Sequence, residues 1–162
     1  MSDWRIVTRP AYRAVGMKWE GTFQEVPELK KVIHQMRQRV DELEHAVNRD
    51  VLLGLSYHVV ENGFAHYSVF EVTDDQKVLD GMVEIQVPEW TYMYTKHKKG
   101  ENVVQTYNNL HQWLHDSEYQ ALKEAGVTYY DPYLPIKHEY YPTDQDPDDQ
   151  HFDILIPVVK ES

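Results

Sequence analysis

The sequence predicts an α+β fold in which one strand–helix–strand–strand unit is used twice. Each half has an apolar stripe of helical spacing, β-prone runs lie on both sides of each stripe, and residues 10–21 and 88–100 share a plan that begins at Pro and ends at Gly. We take residues 1–162 as a single domain with internal halves of about 1–76 and 77–162. Such a chain is expected to form one antiparallel sheet with two main helices on one face and a central ligand groove at its pseudo-twofold junction.

The first half begins with an extended run at residues 5–19 (RIVTRPAYRAVGMKW). From about 26 to 48, apolar residues recur at the three- and four-residue spacing of one helix face, and Pro27 suits the first helical turn. The runs VLLGLSYHVV and AHYSVFEV follow, separated by ENG at residues 61–63. Asn-Gly between β-prone runs predicts a hairpin.

The second half repeats this order. Residues 82–100 (MVEIQVPEWTYMYTKHKKG) predict a strand, and residues 102–122 predict a helix with one apolar stripe. Residues 128–142 and 151–159 then supply the closing strands. A break between the halves is expected near residues 73–81.

Composition excludes several classes of function. The formal net charge is −11 and there is no Lys/Arg cluster beyond residues 96–99, which argues against direct nucleic-acid binding. No apolar run is long enough to span a membrane, and there are no cysteines. We therefore expect a cytoplasmic protein without a cofactor, a membrane contact or a bound nucleic acid.

Two stretches imitate metal-binding motifs. His111 and His115 have the spacing of a zinc-protease helix, but Gln112 stands where the catalytic glutamate is needed. Residues 144–155 imitate an EF-hand loop, but Asp149 replaces its turn glycine and Leu155 its bidentate glutamate. We predict neither a specific zinc site nor a specific calcium site.

Aromatic residues and one glutamate form the candidate ligand site. Alternation along a strand places Trp90 and Tyr92 on one face, and likewise Glu139 and Tyr141 on one face of another strand. A carboxylate opposite electron-rich rings is a good receptor for an apolar cation. Taken singly, such aromatics more often pack in a core and such a glutamate more often faces solvent. The predicted ligand-binding set is Glu139, Tyr141, Trp90, Tyr92, Tyr57 and Trp19.

An ordered set of motifs resembles the GyrI-like small-molecule-binding domains, also called the effector-binding domain of AraC- and MerR-type regulators. These motifs are VPEWTYMYTKHKKG, NLHQWL with SEY, HEYYPTDQDP, FDILIPV and, in the first half, LLGLSYH. The resemblance implies a central pocket for amphipathic, often cationic, aromatic compounds. It maps the pocket glutamate of that family, and the aromatic two residues later, onto Glu139 and Tyr141. Asp131 is a rival acid, and Trp90 with Tyr94 makes the second-half strand bulkier than the resemblance implies.

Three functions follow from the resemblance. The first choice is a stand-alone, non-catalytic binder of small amphipathic compounds, most simply lipophilic aromatic cations. The second is a hydrolase of strained hydrophobic compounds, with Glu139 as the candidate catalytic acid or base. The third is a modulator of a protein partner, such as a gyrase inhibitor. The sequence identifies neither the ligand nor a protein partner.

Overall fold

The computed structural model describes residues 4–145 and 150–160, and within these ranges the chain forms nine β-strands and two α-helices. The strands are β1 (Arg5–Arg9), β2 (Tyr12–Thr22), β3 (Val51–Tyr57), β4 (Gly63–Val72), β5 (Val83–Val87), β6 (Trp90–His97), β7 (Tyr119–Ala121), β8 (Ile136–Pro142) and β9 (Phe152–Lys160). The helices are α1 (Val26–Gln38) and α2 (Val103–Asp116). No helix in the described ranges is both long and apolar enough to cross a membrane.

The sheet shows the predicted duplication directly. Its strand order is β1-β6-β9-β8-β3-β4-β2-β5, all neighbours are antiparallel, and β7 pairs with β9 off this path. Exchanging β1 with β5, β2 with β6, β3 with β8 and β4 with β9 gives the same order reversed. A pseudo-twofold axis therefore passes between β3 and β8, and the prediction of a duplicated α+β fold is confirmed.

The prediction of a single strand at residues 5–19, and of another at 82–100, was wrong. Each region forms two strands, which break at Pro10 and at Pro88, because proline lacks the N–H that a ladder needs. The first strand of each half pairs with the second strand of the other half, as β1 with β6 and β5 with β2. Each repeat is therefore ββαββ rather than βαββ.

This strand exchange requires a strongly curved sheet. β1 lies at one end of the strand order and β2 near the other, yet only two residues join them, a reach of about 11 Å. Arg9 on β1 accordingly donates to the Tyr140 hydroxyl on β8 at 2.6 Å and to the Glu71 carboxylate on β4 at 2.5 Å. These contacts lie on the face without helices, which we call the concave face. The opposite face, covered by both helices, is the helix face.

Both helices are shorter than the sequence predicts. α1 ends at Gln38 rather than near 48, and a 3-10 turn follows at Val40–Glu42. The apolar spacing continues past the helix because Leu43 still packs in the core with Met36, although its backbone is extended. α2 ends at Asp116 rather than near 122, since the Ser117 hydroxyl donates to the carbonyl of Leu114 and the chain then turns into β7.

The closing strand predicted at residues 128–142 begins only at Ile136. Asp131 holds the preceding segment in a turn, because its Oδ1 accepts from the backbone N–H groups of Tyr133 and Leu134 at 2.9 and 3.0 Å. The strand predicted at 151–159 forms as β9. The segment between β4 and β5 matches the predicted break between the halves.

The β3–β4 hairpin gives a direct test of the turn chemistry. Asn62 has φ of 59°, a left-handed conformation that Asn and Gly tolerate and β-branched residues do not. We expect Asn62→Val to lower the free energy of unfolding by about 1–2 kcal/mol, and Asn62→Gly to change it little. Urea unfolding of the two variants measures this, and equal stabilities would contradict the role assigned to the turn.

Candidate functional site

Glu139 lies at the centre of the sheet, on the helix face. It stands in the middle of β8, directly opposite Gly54 of β3, and the pseudo-twofold axis passes between these two strands. Tyr141 lies on the same face of β8. It packs against the apolar cluster that contains Met36 of α1 and against the one that contains Leu110 of α2. The carboxylate is therefore at the junction of the two halves, where a ligand groove was predicted.

Two tyrosines hold the Glu139 carboxylate. Tyr107 of α2 donates its hydroxyl to Oε2, and Tyr141 donates its hydroxyl to Oε1 at 2.5 Å. Burial raises the pKa of Glu139, while the two hydroxyl donors, followed by Lys137 and His97, act in the opposite direction. Burial also raises the pKa values of both tyrosines well above their usual range, so they remain donors. No ion pair joins Glu139 to any residue in the described part of the chain.

A cavity of about 360 Å³ opens beside this cluster, between α1 and the sheet. Gly54 makes room for it, because a Cβ at this position would lie 3.2 Å from the rings of His66 and Tyr141. The Tyr141 ring forms part of the wall while its hydroxyl reaches Glu139. The cavity is lined by Lys30, Ile33, His34, Arg37, Leu52, Gly54, His66, Ser68, Tyr141 and Gln150.

The expectation that one pocket joins Glu139 to Tyr57, Trp90 and Tyr92 was wrong. Neighbouring side chains along a strand point to opposite faces, and these three aromatic rings lie on the concave face around His138, one residue before Glu139. The Tyr57 hydroxyl is 3.1 Å from His138 Nε2. Tyr92 is fully buried, so its role in the structure is core packing.

A second, smaller cavity of about 250 Å³ lies on the concave face. Tyr57 and Trp90 line it together with Tyr129, whose hydroxyl donates to Glu124 at 3.0 Å. The cavity thus combines rings with a carboxylate, and it is separate from the Glu139 cluster. A ligand-binding role for Tyr57 and Trp90 stays a prediction that now refers to this cavity.

The remaining predicted positions lie apart from Glu139. Trp19 is buried and packs edge-on against Phe64 with ring centroids 5.3 Å apart, and it does not line the helix-face cavity. Asp131, the rival acid, caps its own turn and lies 3.7 Å from the ammonium of Lys137. Those backbone donors lower its pKa against the effect of burial. Asp131 therefore stabilises the turn that precedes β8.

The imitated metal motifs occupy other parts of the molecule. The His111 ring contacts the Tyr133 ring at a centroid distance of 4.6 Å, and both histidines of α2 line a cleft of about 730 Å³. This cleft has a larger volume than the helix-face cavity and the concave-face cavity, but its lining contains none of the predicted ligand residues. Residues 146–149 of the EF-hand imitation lie outside the described residues. Among the residues described, no three His, Asp or Glu side chains cluster in a way that could hold a metal ion.

The sequence interpretation missed two contributors to the site. Tyr107 falls on the apolar stripe predicted for residues 102–122, and it supplies one of the two donors to Glu139. A hydroxyl within an otherwise apolar stripe was the available signal. His66 was not singled out at all; it is buried, its Nδ1 lies 2.8 Å from the Ser56 hydroxyl, and burial lowers its pKa to about 4, which leaves the ring neutral.

The fold is similar to those of solved structures, among them the following three. SAV2435 bound to tetraphenylphosphonium has a TM-score of 0.68 and 16% sequence identity, with 97% of this chain and 94% of that chain covered. The EcmrR C-terminal domain has a TM-score of 0.68 and 18% identity, with 99% of each chain covered. A hydrolase from Listeria innocua has a TM-score of 0.54 and 12% identity, with 96% and 91% covered. Identities this low show a shared fold alone.

The sequence itself gives a family match. No curated protein matches the chain. The family described as the GyrI-like small molecule binding domain, however, matches residues 2–159. Because this match spans nearly the whole chain, the protein belongs to the family of GyrI-like small molecule binding domains.

Proposed function

We propose that the protein binds small amphipathic compounds, above all lipophilic aromatic cations, on the helix face beside Glu139. The observation that carries this proposal is a carboxylate at the pseudo-twofold junction that is held by two hydroxyls and forms no ion pair with the described residues. Burial of a carboxylate is costly, and a ligand cation in direct contact would offset this cost more than Lys137, which acts on Glu139 without forming an ion pair with it. The similar fold of SAV2435, which was solved with tetraphenylphosphonium, supports the same ligand class.

Access to the carboxylate depends on Tyr141. Tyr141 lines the cavity and its hydroxyl donates to Glu139, whereas Glu139 itself is not among the lining residues. A cation that enters the cavity meets the face or edge of this ring and displaces the hydroxyl to reach the carboxylate. Cation–π contact with the ring and charge pairing with Glu139 then act together.

A hydrolase remains the second candidate, and one observation favours it. Burial raises the pKa of Glu139, as a general acid or base working near neutral pH requires, and two tyrosine hydroxyls lie beside it. Binding without turnover separates the two functions. Mass spectrometry of a bound hydrophobic compound after prolonged incubation would show either the unchanged compound or a hydrolysed product.

Fluorescence titration with tetramethylrhodamine methyl ester, a lipophilic aromatic cation, tests the proposal. We expect saturable binding that a non-fluorescent cation, tetraphenylphosphonium, displaces. Nile red, an uncharged dye of comparable size, serves as the probe of apolar binding alone. Absence of saturable binding of the cation would overturn the proposed ligand class.

Tyr141→Phe tests the role of the hydrogen bond from the Tyr141 hydroxyl to Glu139. The variant keeps the ring but removes a hydroxyl that donates to Glu139, so an incoming cation no longer competes with it. We expect the variant to bind the methyl ester more tightly than the wild type, by roughly tenfold, because a hydrogen bond to a charged group need not be broken. Tyr130→Phe, at an exposed tyrosine, is the control. Weaker binding by Tyr141→Phe would show that the hydroxyl itself contacts the ligand.

A further inference from the structure

The wall that α1 forms in the helix-face cavity carries two positive charges. Lys30 and Arg37 line the cavity seven residues apart, on one side of the helix. No ion pair joins Lys30 or Arg37 to a residue in the ranges 4–145 and 150–160. This wall faces the cavity from the opposite side to the sheet that carries Glu139.

Two polar atoms of the same cavity are buried without a hydrogen-bond partner in the described ranges. They are the Ser68 hydroxyl, on a residue only 1% exposed, and Nε of Arg37. Both residues line the cavity. Buried donors are nearly always satisfied in native proteins, so each of these two atoms calls for an acceptor. His66 adds no charge, because burial keeps it neutral.

The carboxylate and the donors lie on one line across the sheet. Glu139 of β8 pairs with Gly54 of β3, and Gly54 pairs with Ser68 of β4. With strands about 4.8 Å apart, Ser68 stands about 10 Å from Glu139 at the backbone. Since Gly54 has no side chain, β3 places nothing between the two positions, and the space above it is bordered by the rings of Tyr141 and His66.

We propose that the natural ligand is a zwitterion, whose cationic end pairs with Glu139 and whose carboxylate accepts hydrogen bonds from Arg37 and Ser68 in the helix-face cavity. This inference rests on the proposed function and narrows its ligand class. A plain cation would occupy the Glu139 end but would leave the donors unsatisfied and would face the positive α1 wall. The positive α1 wall repels a plain cation, but it attracts the carboxylate of a zwitterion and so favours zwitterions over plain cations.

Two dyes that differ in one group test this inference. Tetramethylrhodamine carries a free carboxylate beside its cationic ring system, and its methyl ester lacks that negative charge. We expect the wild type to bind the zwitterion about tenfold more tightly than the ester, as one charge-assisted contact allows. We expect Arg37→Met to abolish this preference, because the charged donor to the ligand carboxylate is removed. Ser68→Ala should reduce the preference several-fold.

Lys31→Met is the matched control, because Lys31 is exposed on the same helix and does not line the cavity. Thermal melts of each variant verify that it is folded. Equal affinity of the wild type for both dyes, or an unchanged preference in folded Arg37→Met, would overturn the zwitterion inference and leave cation binding standing. If neither dye binds the wild type, the proposed function fails and the inference with it.

Discussion

Replacing Glu139 by Gln is expected to weaken binding of the cationic methyl ester by about ten- to a hundredfold. The variant keeps the shape of the side chain but removes its charge, and loss of a charge-assisted contact in a partly desolvated site costs roughly 1.5–3 kcal/mol. Affinity for the uncharged dye should change little. The measurement is paired fluorescence titration of wild type and variant over a series of rising pH values, because burial raises the pKa of Glu139 and the cation pairs with its ionised form.

Glu118→Gln is the matched control for this experiment, because Glu118 is an exposed carboxylate whose contact with Lys160 is also exposed. Glu139→Gln is expected to melt no lower than the wild type. Because the pKa of Glu139 is raised in the folded state, protonation of Glu139 adds to the free energy of unfolding. The wild type loses this addition as pH rises through the folded-state pKa. Equal affinity of Glu139→Gln and wild type for the cation would show that Glu139 is not the pocket acid.

The second large effect is a steep loss of stability in mild acid. Burial lowers the pKa of His138 to about 3, and those of His66 and His58 to about 4, with Arg9 and Lys137 adding to the shifts of His138 and His58. The unfolded chain binds these protons near pH 6.5, so stability falls as pH drops from there toward about 4. We expect a loss of roughly 3–4 kcal/mol between pH 6 and pH 5, which Glu139 partly offsets.

Urea unfolding at several pH values measures this slope. His66→Gln keeps a polar group beside Ser56 and should reduce the slope by about a third, because one of three buried histidines is removed. His34→Gln, at an exposed position of α1, is the control and should leave the slope unchanged. Wild-type stability that is flat between pH 6 and pH 5 would contradict the burial of neutral histidines.

Local sequence patterns predicted which helices and strands form better than they predicted the residues at which these begin and end. Alternation correctly placed Glu139 and Tyr141 on one face of β8, because the period of two is a property of the strand itself. The spacing of apolar residues predicted both helices but extended α1 past Gln38, because the non-helical segment through Leu43 buries side chains in the same core. Periodicity reports burial, and it does not distinguish a helix from a turn that packs on the same surface.

The composition of the site depended on contacts that sequence patterns do not contain. Gly54 and Glu139 are 85 residues apart in the sequence. They lie opposite each other only because β3 and β8 are neighbours at the pseudo-twofold axis. Tyr107 reaches the carboxylate from α2 across the same face. Tyr57 and Trp90 were placed with Glu139 by chemistry alone, and the strand register puts them on the opposite face. Residue type indicated the kind of ligand, whereas the pairing of strands determined which residues meet it.

The location of a bound cation tests the central claim most directly. Crystals of the protein grown with tetraphenylarsonium would give an anomalous signal from arsenic that locates the centre of the cation without reference to the shape of the density. We expect one peak on the helix face, with Glu139 as the nearest carboxylate and Tyr141 moved from its present contact. A peak in the concave-face cavity, beside Trp90 and Glu124, with Glu139 still bound to both tyrosines, would contradict it.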